Sequence, residues 1–381
     1  MVKKVAILGS TGSIGKSALD VIANLEGDIE VWGLSANRNF RELALQAQRY
    51  GAGYISLSDG ASERGLRELD GDLASRLLPQ EEFEALAAAE ADIVLVAVVG
   101  AAGLSGALAA ARSGCRLALA NKESLVCAGQ LLMDTARRSG AEVLPVDSEH
   151  SAIFQAVHSG RPQEISRIVI TASGGPFLDR AEELFDDITI EEALSHPTWS
   201  MGRKITVDSA TMANKAFEVI EGRWLFDTPA EKISVLVHPE SIVHSLVEFA
   251  DRSVMAQLSM PDMRLPIQYA FTYPHRVACA IGRLDLAALG VLNFRAPDMT
   301  RFPCLEIGFE VAREGGTCGA VFNAANEVAV AAFLAGRLKF NDIYTVIRRT
   351  LDSHDKSAAD NLETILEADR WAREEAAKCL S

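Results

Sequence analysis

Short apolar runs separated by helical patterns fill the first 147 positions. Val5-Ala6-Ile7-Leu8 is uniformly apolar, the signature of a strand buried on both faces. Glu30 to Leu34, Tyr54–Leu57, Ile93–Val99, Arg116–Ala120 and Val143–Val146 follow as further strand-like runs. Helical patterns lie between them at Phe40–Tyr50, Phe83–Ala89, Leu104–Ser113 and Leu131–Arg138. This alternation predicts a doubly wound, Rossmann-like parallel sheet with ligands at the carboxyl ends of its strands.

The pattern changes near Ser151. Ile165 to Thr171 reads as a strand, and Ser234–Val237, Val243–Phe249 and Val254–Leu258 follow in close succession, as in a mainly antiparallel second sheet. Residues from about Tyr273 to Pro303 read as a connection. From Cys318 onward the helical stretches Ala320–Leu334, Asn341–Asp352 and Asn361–Leu380 predict a C-terminal bundle. The expected α/β organisation is a nucleotide domain over 1–147, an α+β catalytic domain over 148–272, a connecting segment over 273–302 and a helical domain over 303–381.

The 381 residues exceed one ordinary domain, and 49% hydrophobic content fits a well-cored globular protein. A net charge of −15 without a long basic run argues against nucleic acid or an anionic membrane as partner. A small anion bound by a local lysine and backbone N–H groups remains compatible with it. The six cysteines form no C-x-x-C pair, which favours reduced thiols in a reducing compartment. No apolar run approaches 18 residues, and no signal or transit peptide is visible, so a cytoplasmic location is expected.

Candidate chemistry gathers after the strands. Gly9-Ser10-Thr11-Gly12-Ser13-Ile14-Gly15 joins the first strand to a helix, the setting of a dinucleotide pyrophosphate site; a tight turn without ligand is the plainer alternative. After the second strand comes Asn37-Arg38-Asn39, with no acidic residue to hold a ribose 2′-hydroxyl, which favours NADP. Asn121-Lys122-Glu123 and Asp147-Ser148-Glu149 end later strands. On an extended chain Asp147 and Glu149 point the same way. Asn214, Lys215 and Glu218 share one helical face. Three carboxylates, Asp147, Glu149 and Glu218, would suit Mg²⁺ or Mn²⁺ if brought together.

Three further stretches keep two readings each. Ser173-Gly174-Gly175 is an anion cradle or a plain turn. His196-Pro197-Thr198-Trp199-Ser200-Met201-Gly202 is a lid over a ligand or a loop pinned into the core by its Trp. Ser209 is the N-cap of a helix running to roughly Phe226, or a phosphate contact.

Taken with His238-Pro239-Glu240-Ser241 and Met260–Arg264, these motifs in this order resemble the 1-deoxy-D-xylulose 5-phosphate reductoisomerase family over essentially the whole chain. The resemblance implies a homodimer that uses NADPH and one divalent cation, Mg²⁺ or Mn²⁺. It would convert 1-deoxy-D-xylulose 5-phosphate to 2-C-methyl-D-erythritol 4-phosphate in the non-mevalonate route to isoprenoids. It also implies roles. Asp147, Glu149 and Glu218 would hold the metal, with Lys122, Glu149, His196 and Glu218 catalytic. Thr11, Gly12, Ser13, Ile14, Asn37, Arg38, Asn39, Asn121, Glu123 and Gly202 would contact NADPH. Lys122, Ser148, Glu149, Ser173, His196, Trp199, Ser209, Asn214, Lys215 and Glu218 would contact the substrate. Where this chain has Asn37-Arg38, other members carry Gly-Lys. An NADP dehydrogenase without rearrangement, or a non-catalytic NADPH sensor, would explain the glycine turn but would not need all three carboxylates.

Overall fold

The computed structural model describes residues 2–25, 27–199 and 201–380. The chain divides into two compact units: Met1–Ser124, Leu132–Ser151 and Asp262–Gly282 form one, and Leu125–Leu131, Ala152–Pro261 and Arg283–Ser381 the other.

In the first unit the chain runs β1 (Lys3–Leu8), α1 (Ser13–Asn24), β2 (Ile29–Ala36), α2 (Phe40–Tyr50), β3 (Tyr54–Leu57), α3 (Gly60–Leu69), α4 (Gly71–Ala74), β4 (Leu77–Leu78), α5 (Gln80–Glu90) and β5 (Ile93–Val96). It continues through α6 (Leu104–Ser113), β6 (Arg116–Leu119), α7 (Lys122–Ser139, of which Leu125–Leu131 count with the other unit), β7 (Val143–Pro145) and the first turn of α8 (Ser148–Ala156), whose remainder from Ala152 belongs to the other unit. The seven strands lie in the order β4-β3-β2-β1-β5-β6-β7, and every pair is parallel. The chain moves outward from β1 in one direction and resumes at β5 in the other, so the switch point lies between β1 and β5. Ile7, Leu34, Leu95 and Leu117 are wholly buried, which is why these runs carry no polar alternation. Two elements escape the periodicity argument. Strand β4 is only two residues long, and α3 is rich in polar residues with an N-cap at Asp59.

The second unit contains β8 (Ile165–Ala172), α9 (Ile190–Ala193), α10 (Arg203–Ala210), α11 (Ala213–Leu225), β9 (Ile233–Val237), β10 (Val243–Phe249) and β11 (Val254–Leu258). Helix α12 (Arg264–Thr272) returns to the first unit, where it packs against α1; the sequence pattern does not announce it, because Pro266 interrupts the run, yet proline is tolerated in a first turn. The remaining helices are α13 (Leu286–Leu289), α14 (Cys304–Glu314), α15 (Cys318–Leu334), α16 (Asp342–Asp352) and α17 (Leu362–Lys378). The second sheet has the order β11-β10-β8-β9. Strand β10 is antiparallel to β8 and β11, as expected, but β9 runs parallel to β8. Succession in sequence therefore did not mean adjacency: β9 and β10 are separated by β8. Helix α11 packs on β8 and β9, with α14 against it. The core of this unit includes Ile168, Ile170, Phe217, Val219, Phe322 and Ile347. No helix among the described residues is long and apolar enough to cross a membrane.

Candidate active site

In the first unit, the turn after β1 is built for close approach. Gly9 has φ +90°, and a Cβ there would lie 2.7 Å from the Ala97 carbonyl oxygen at the end of β5. Gly12 caps α1 without a side-chain bond, and the first turn carries no acidic residue. Its N–H groups and positive end thus suit an anion. Thr11, Gly12, Ser13 and Ile14 are exposed or half-exposed on this turn. At the end of β2, Asn37, Arg38 and Asn39 are exposed; the Arg38 side chain is 82% exposed, with Nε 3.9 Å from Asp59 Oδ1. Hydrogen bonds from Ser62, and secondarily the Arg38 charge, hold the Asp59 carboxyl below its usual range. Asn39 also caps α2.

Asn121 is buried and committed. Its Nδ2 donates to the Val98 and Gly100 carbonyls at 2.7 and 3.0 Å and to Glu123 Oε2 at 2.9 Å, and its Oδ1 accepts from Ser124 N. It thereby fixes the start of α7, one residue from Lys122. The Lys122 ammonium pairs with Asp147 Oδ2. Asp147 does not sit on an extended chain with Glu149. It caps α8, accepting from His150 N at 3.2 Å, and Glu149 lies in the first helical turn with its Oε2 accepting from Ser148 Oγ at 2.7 Å. The same-side argument from strand geometry is replaced by a helix N-terminus, whose dipole stabilises both carboxylates. His150, wholly buried, places Nδ1 3.2 Å from Asp147 Oδ1. Sequence reasoning gave it no role, although its position three residues after an Asp cap is a recognisable signal.

In the second unit, Ser173 and His196 meet: Ser173 Oγ is 3.0 Å from His196 Nε2. His196 Nδ1 accepts from the Thr198 and Trp199 backbone N–H groups at 3.1 and 3.0 Å, so the neutral ring carries its proton on Nε2 and donates it to Ser173. Burial pushes the His196 pKa down, which keeps that neutral form. Trp199 is half-buried. Ser200 of this loop lies outside the described residues. Gly202 is exposed and caps α10.

Ser209 is not the N-cap expected of it. The helix begins six residues earlier, and Ser209 sits in the last turn of α10. Met212, at φ 61°, breaks the chain into α10 and α11. Gly175, at φ +68°, brings the Ser173 turn against this point: a Cβ on it would lie 2.8 Å from the Ser209 carbonyl oxygen. On α11, Glu218 is 1% exposed; Lys215 Nζ lies 2.5 Å from its Oε2, and Asn214 Nδ2 donates to its Oε1 at 2.7 Å. The shared face is as expected, but it is buried. Asp208, also buried, bonds Lys204 at 3.1 Å and Asn326 Nδ2 at 2.8 Å; 118 residues separate Asp208 from Asn326, so no local pattern could reveal that pair.

Models of three parts of one family match the chain: 1-deoxy-D-xylulose 5-phosphate reductoisomerase at residues 5–129, its C-terminal domain at 143–226, and the DXP reductoisomerase C-terminal domain at 258–375. The 1-deoxy-D-xylulose 5-phosphate reductoisomerase of Trichlorobacter lovleyi is 49% identical over 373 residues, covering 97% of this chain and 96% of its own. The chain belongs to the 1-deoxy-D-xylulose 5-phosphate reductoisomerase family. The reductoisomerase of Chlorobium limicola is also 49% identical, over 98% of both chains. Among solved structures, the reductoisomerase from Zymomonas mobilis in complex with NADPH is 42% identical with a TM-score of 0.93, covering all of both chains. A DOX-P reductoisomerase in complex with NADPH, fosmidomycin and magnesium is 39% identical with a TM-score of 0.93, covering 99% of this chain and 98% of that one. The α/β fold read from the sequence, with its parallel sheet, second sheet and helical C-terminal region, is the fold of this reductoisomerase family.

Proposed function

We propose that this chain converts 1-deoxy-D-xylulose 5-phosphate to 2-C-methyl-D-erythritol 4-phosphate with NADPH and one divalent cation, in isoprenoid precursor synthesis. The observation that carries this reading is Glu218, a carboxylate almost wholly buried beside Lys215 and Asn214, one helix on from Ser209. A dehydrogenase that only moves hydride has no need of it.

Asp147, Glu149 and Glu218 would hold the cation. They are hard oxygen donors that suit Mg²⁺ or Mn²⁺, half-buried in the first two cases and buried in the third. Bound there, the cation supplies Lewis acidity toward the vicinal oxygens of a hydroxyketone, and bound NADPH supplies the hydride. Lys122 and Lys215 bring cationic donors beside two of these carboxylates. Ser173, Ser209, Asn214 and Lys215 would hold the substrate phosphate, and neutral His196 orients the Ser173 hydroxyl through Nε2–H. Lys122, Glu149, His196 and Glu218 form the catalytic set, Ser148 and Trp199 touch the substrate, and the Trp199 loop excludes water. Thr11 to Ile14, Asn37 to Asn39, Asn121, Glu123 and Gly202 serve NADPH. Residues 1–147 would serve the cofactor, 148–272 the metal and substrate, 273–302 would connect, and 303–381 would support them.

The chain would act as a cytoplasmic homodimer. Six unbridged cysteines fit a reducing compartment, and β11, at a sheet edge with Val254 and Met255 exposed, offers a strand for a second copy. Incubation with the ketose phosphate, NADPH and Mg²⁺ or Mn²⁺, followed by product analysis, tests the function. The rearranged, reduced tetrol phosphate is expected; a reduced but unrearranged pentitol phosphate would leave only a dehydrogenase.

A further inference from the structure

Arg301 lies in the irregular stretch before α14, within the region the sequence marks only as a connection. Asp298 Oδ1 accepts from the Thr300 and Arg301 backbone N–H groups, both at 3.1 Å, and so shapes this stretch. The Arg301 guanidinium reaches back across more than 120 residues. Nη1 donates to the Leu178 carbonyl at 3.0 Å, and Nη2 to the Phe177 carbonyl at 3.0 Å and to the Arg180 carbonyl. Its cation stands over the Phe185 and Phe302 rings at 5.4 and 5.2 Å, which sets the plane of the fork.

Those three carbonyls belong to the turn that follows Ser173-Gly174-Gly175-Pro176. This turn has no regular element of its own to hold it. The Phe177 ring anchors one side of it in the core, against Phe185 and Phe340, while its other side borders a cleft of about 450 Å³ lined by Gly174, Leu178, Arg180, Met212 and Arg301 itself, where the Arg301 bonds hold its backbone. Its other end carries Gly175, in backbone contact with Ser209, and Ser173, bonded to His196. A shift of the Phe177–Arg180 stretch therefore moves the Ser173 hydroxyl relative to both partners.

We propose that Arg301 is a positioning residue: it clamps the Phe177–Arg180 turn and thereby sets Ser173 for the substrate phosphate. This rests on the reading above that Ser173 contacts that phosphate. A lysine cannot replace it, because a single ammonium cannot reproduce a planar fork of donors directed at separate carbonyls.

Steady-state kinetics of Arg301→Lys, Ser173→Ala and the double variant test the assignment. Arg301→Lys raises KM for the ketose phosphate about tenfold, changes kcat less and leaves KM for NADPH alone. Ser173→Ala raises the same KM, and the double variant is little worse than the worse single one, because Arg301 acts through Ser173. Asp298→Ala, which loosens the same stretch without touching the turn, shifts KM in the same direction by less and serves if Arg301→Lys fails to fold. If Ser173→Ala raises KM but neither Arg301→Lys nor Asp298→Ala does, the positioning role falls alone. Additive effects, or equal rises in both KM values with a lower thermal midpoint, also overturn it. If Ser173→Ala itself leaves KM unchanged, the phosphate reading of Ser173 fails and takes the positioning role with it.

Discussion

Gly51 and Gly175 share a φ of +68° and differ in their surroundings. A Cβ at Gly51 would meet nothing within 4 Å, whereas at Gly175 it would lie 2.8 Å from the Ser209 carbonyl oxygen and 3.2 Å from the Ala210 Cα. Gly51→Ala therefore isolates the penalty for a left-handed backbone, roughly 1–2 kcal/mol. Gly175→Ala adds an overlap between two stretches of main chain, neither of which can rotate away. Overpacking of that kind costs roughly 1–3 kcal/mol, so the total reaches about 2–5 kcal/mol. The turn can relieve part of it by lifting from α10, at the expense of the Ser173 position. If about 1.5–3 kcal/mol of substrate binding is lost that way, KM for the ketose phosphate rises roughly 10- to 100-fold. Thermal midpoints and separate KM values for substrate and NADPH measure both parts. Gly51→Ala should lower the midpoint by a few degrees with both KM values intact. Gly175→Ala should lower it further and raise substrate KM alone. Equal midpoint losses in the two variants, with substrate KM untouched in Gly175→Ala, would refute the packing argument.

Three other outcomes follow from the site. Glu218→Gln should weaken Mg²⁺ binding, read by titration calorimetry, and lower turnover by orders of magnitude; because it also removes the charged partner of buried Lys215, a loss of roughly 1.5–3 kcal/mol of stability should accompany it. Arg38→Glu should weaken NADPH about ten- to hundredfold and NADH far less; equal losses would rule out a 2′-phosphate contact at this exposed side chain. Burial lowers the folded-state pKa of His196, so the unfolded chain takes up the proton first. The His196 contribution is intact above the unfolded value of about 6.5 and is lost as pH falls below it toward the folded value. His196→Gln should therefore show a shallower decline of thermal midpoint over that acid range, and an unchanged slope would remove the effect.

Much of the first unit was legible because its central strands are buried on both faces and all strands but β4, which is half-buried and runs into Pro79, lead to a glycine, an Asn or an Asp at the start of the next helix. The elements that were not legible have identifiable causes. The polar helix α3 shows little apolar face, and α12 hides behind Pro266. The boundary between α10 and α11 rests on one residue, Met212, whose positive φ no composition rule anticipates. That misplacement made Ser209 a cap when it is the end of a helix. At the site, residue types and their order were readable, but Asp147 and Glu149 were given the wrong local geometry. The contacts of Asp208 with Asn326 and of Arg301 with the Phe177–Arg180 turn join residues more than 100 positions apart and leave no periodic trace.

The Met212 backbone also bears on how this protein could be improved. A search for stabilising changes would select it at once, since a non-glycine residue in the left-handed region carries strain of roughly 1–3 kcal/mol. Glycine would release that strain, but it would add about 0.5–1 kcal/mol of chain entropy to the unfolded state and remove a core side chain only 3% exposed, a loss of roughly 2–5 kcal/mol. It would also free the angle between the helix that ends at Ala210, just after Ser209, and the one that begins at Ala213, just before Asn214. A fall in melting temperature would then come with Ser209 and Asn214 no longer held in a single relative pose. Strain and packing are carried by the same side chain at this joint, and an engineer who relieves the first should expect to lose the second and the fixed angle with it.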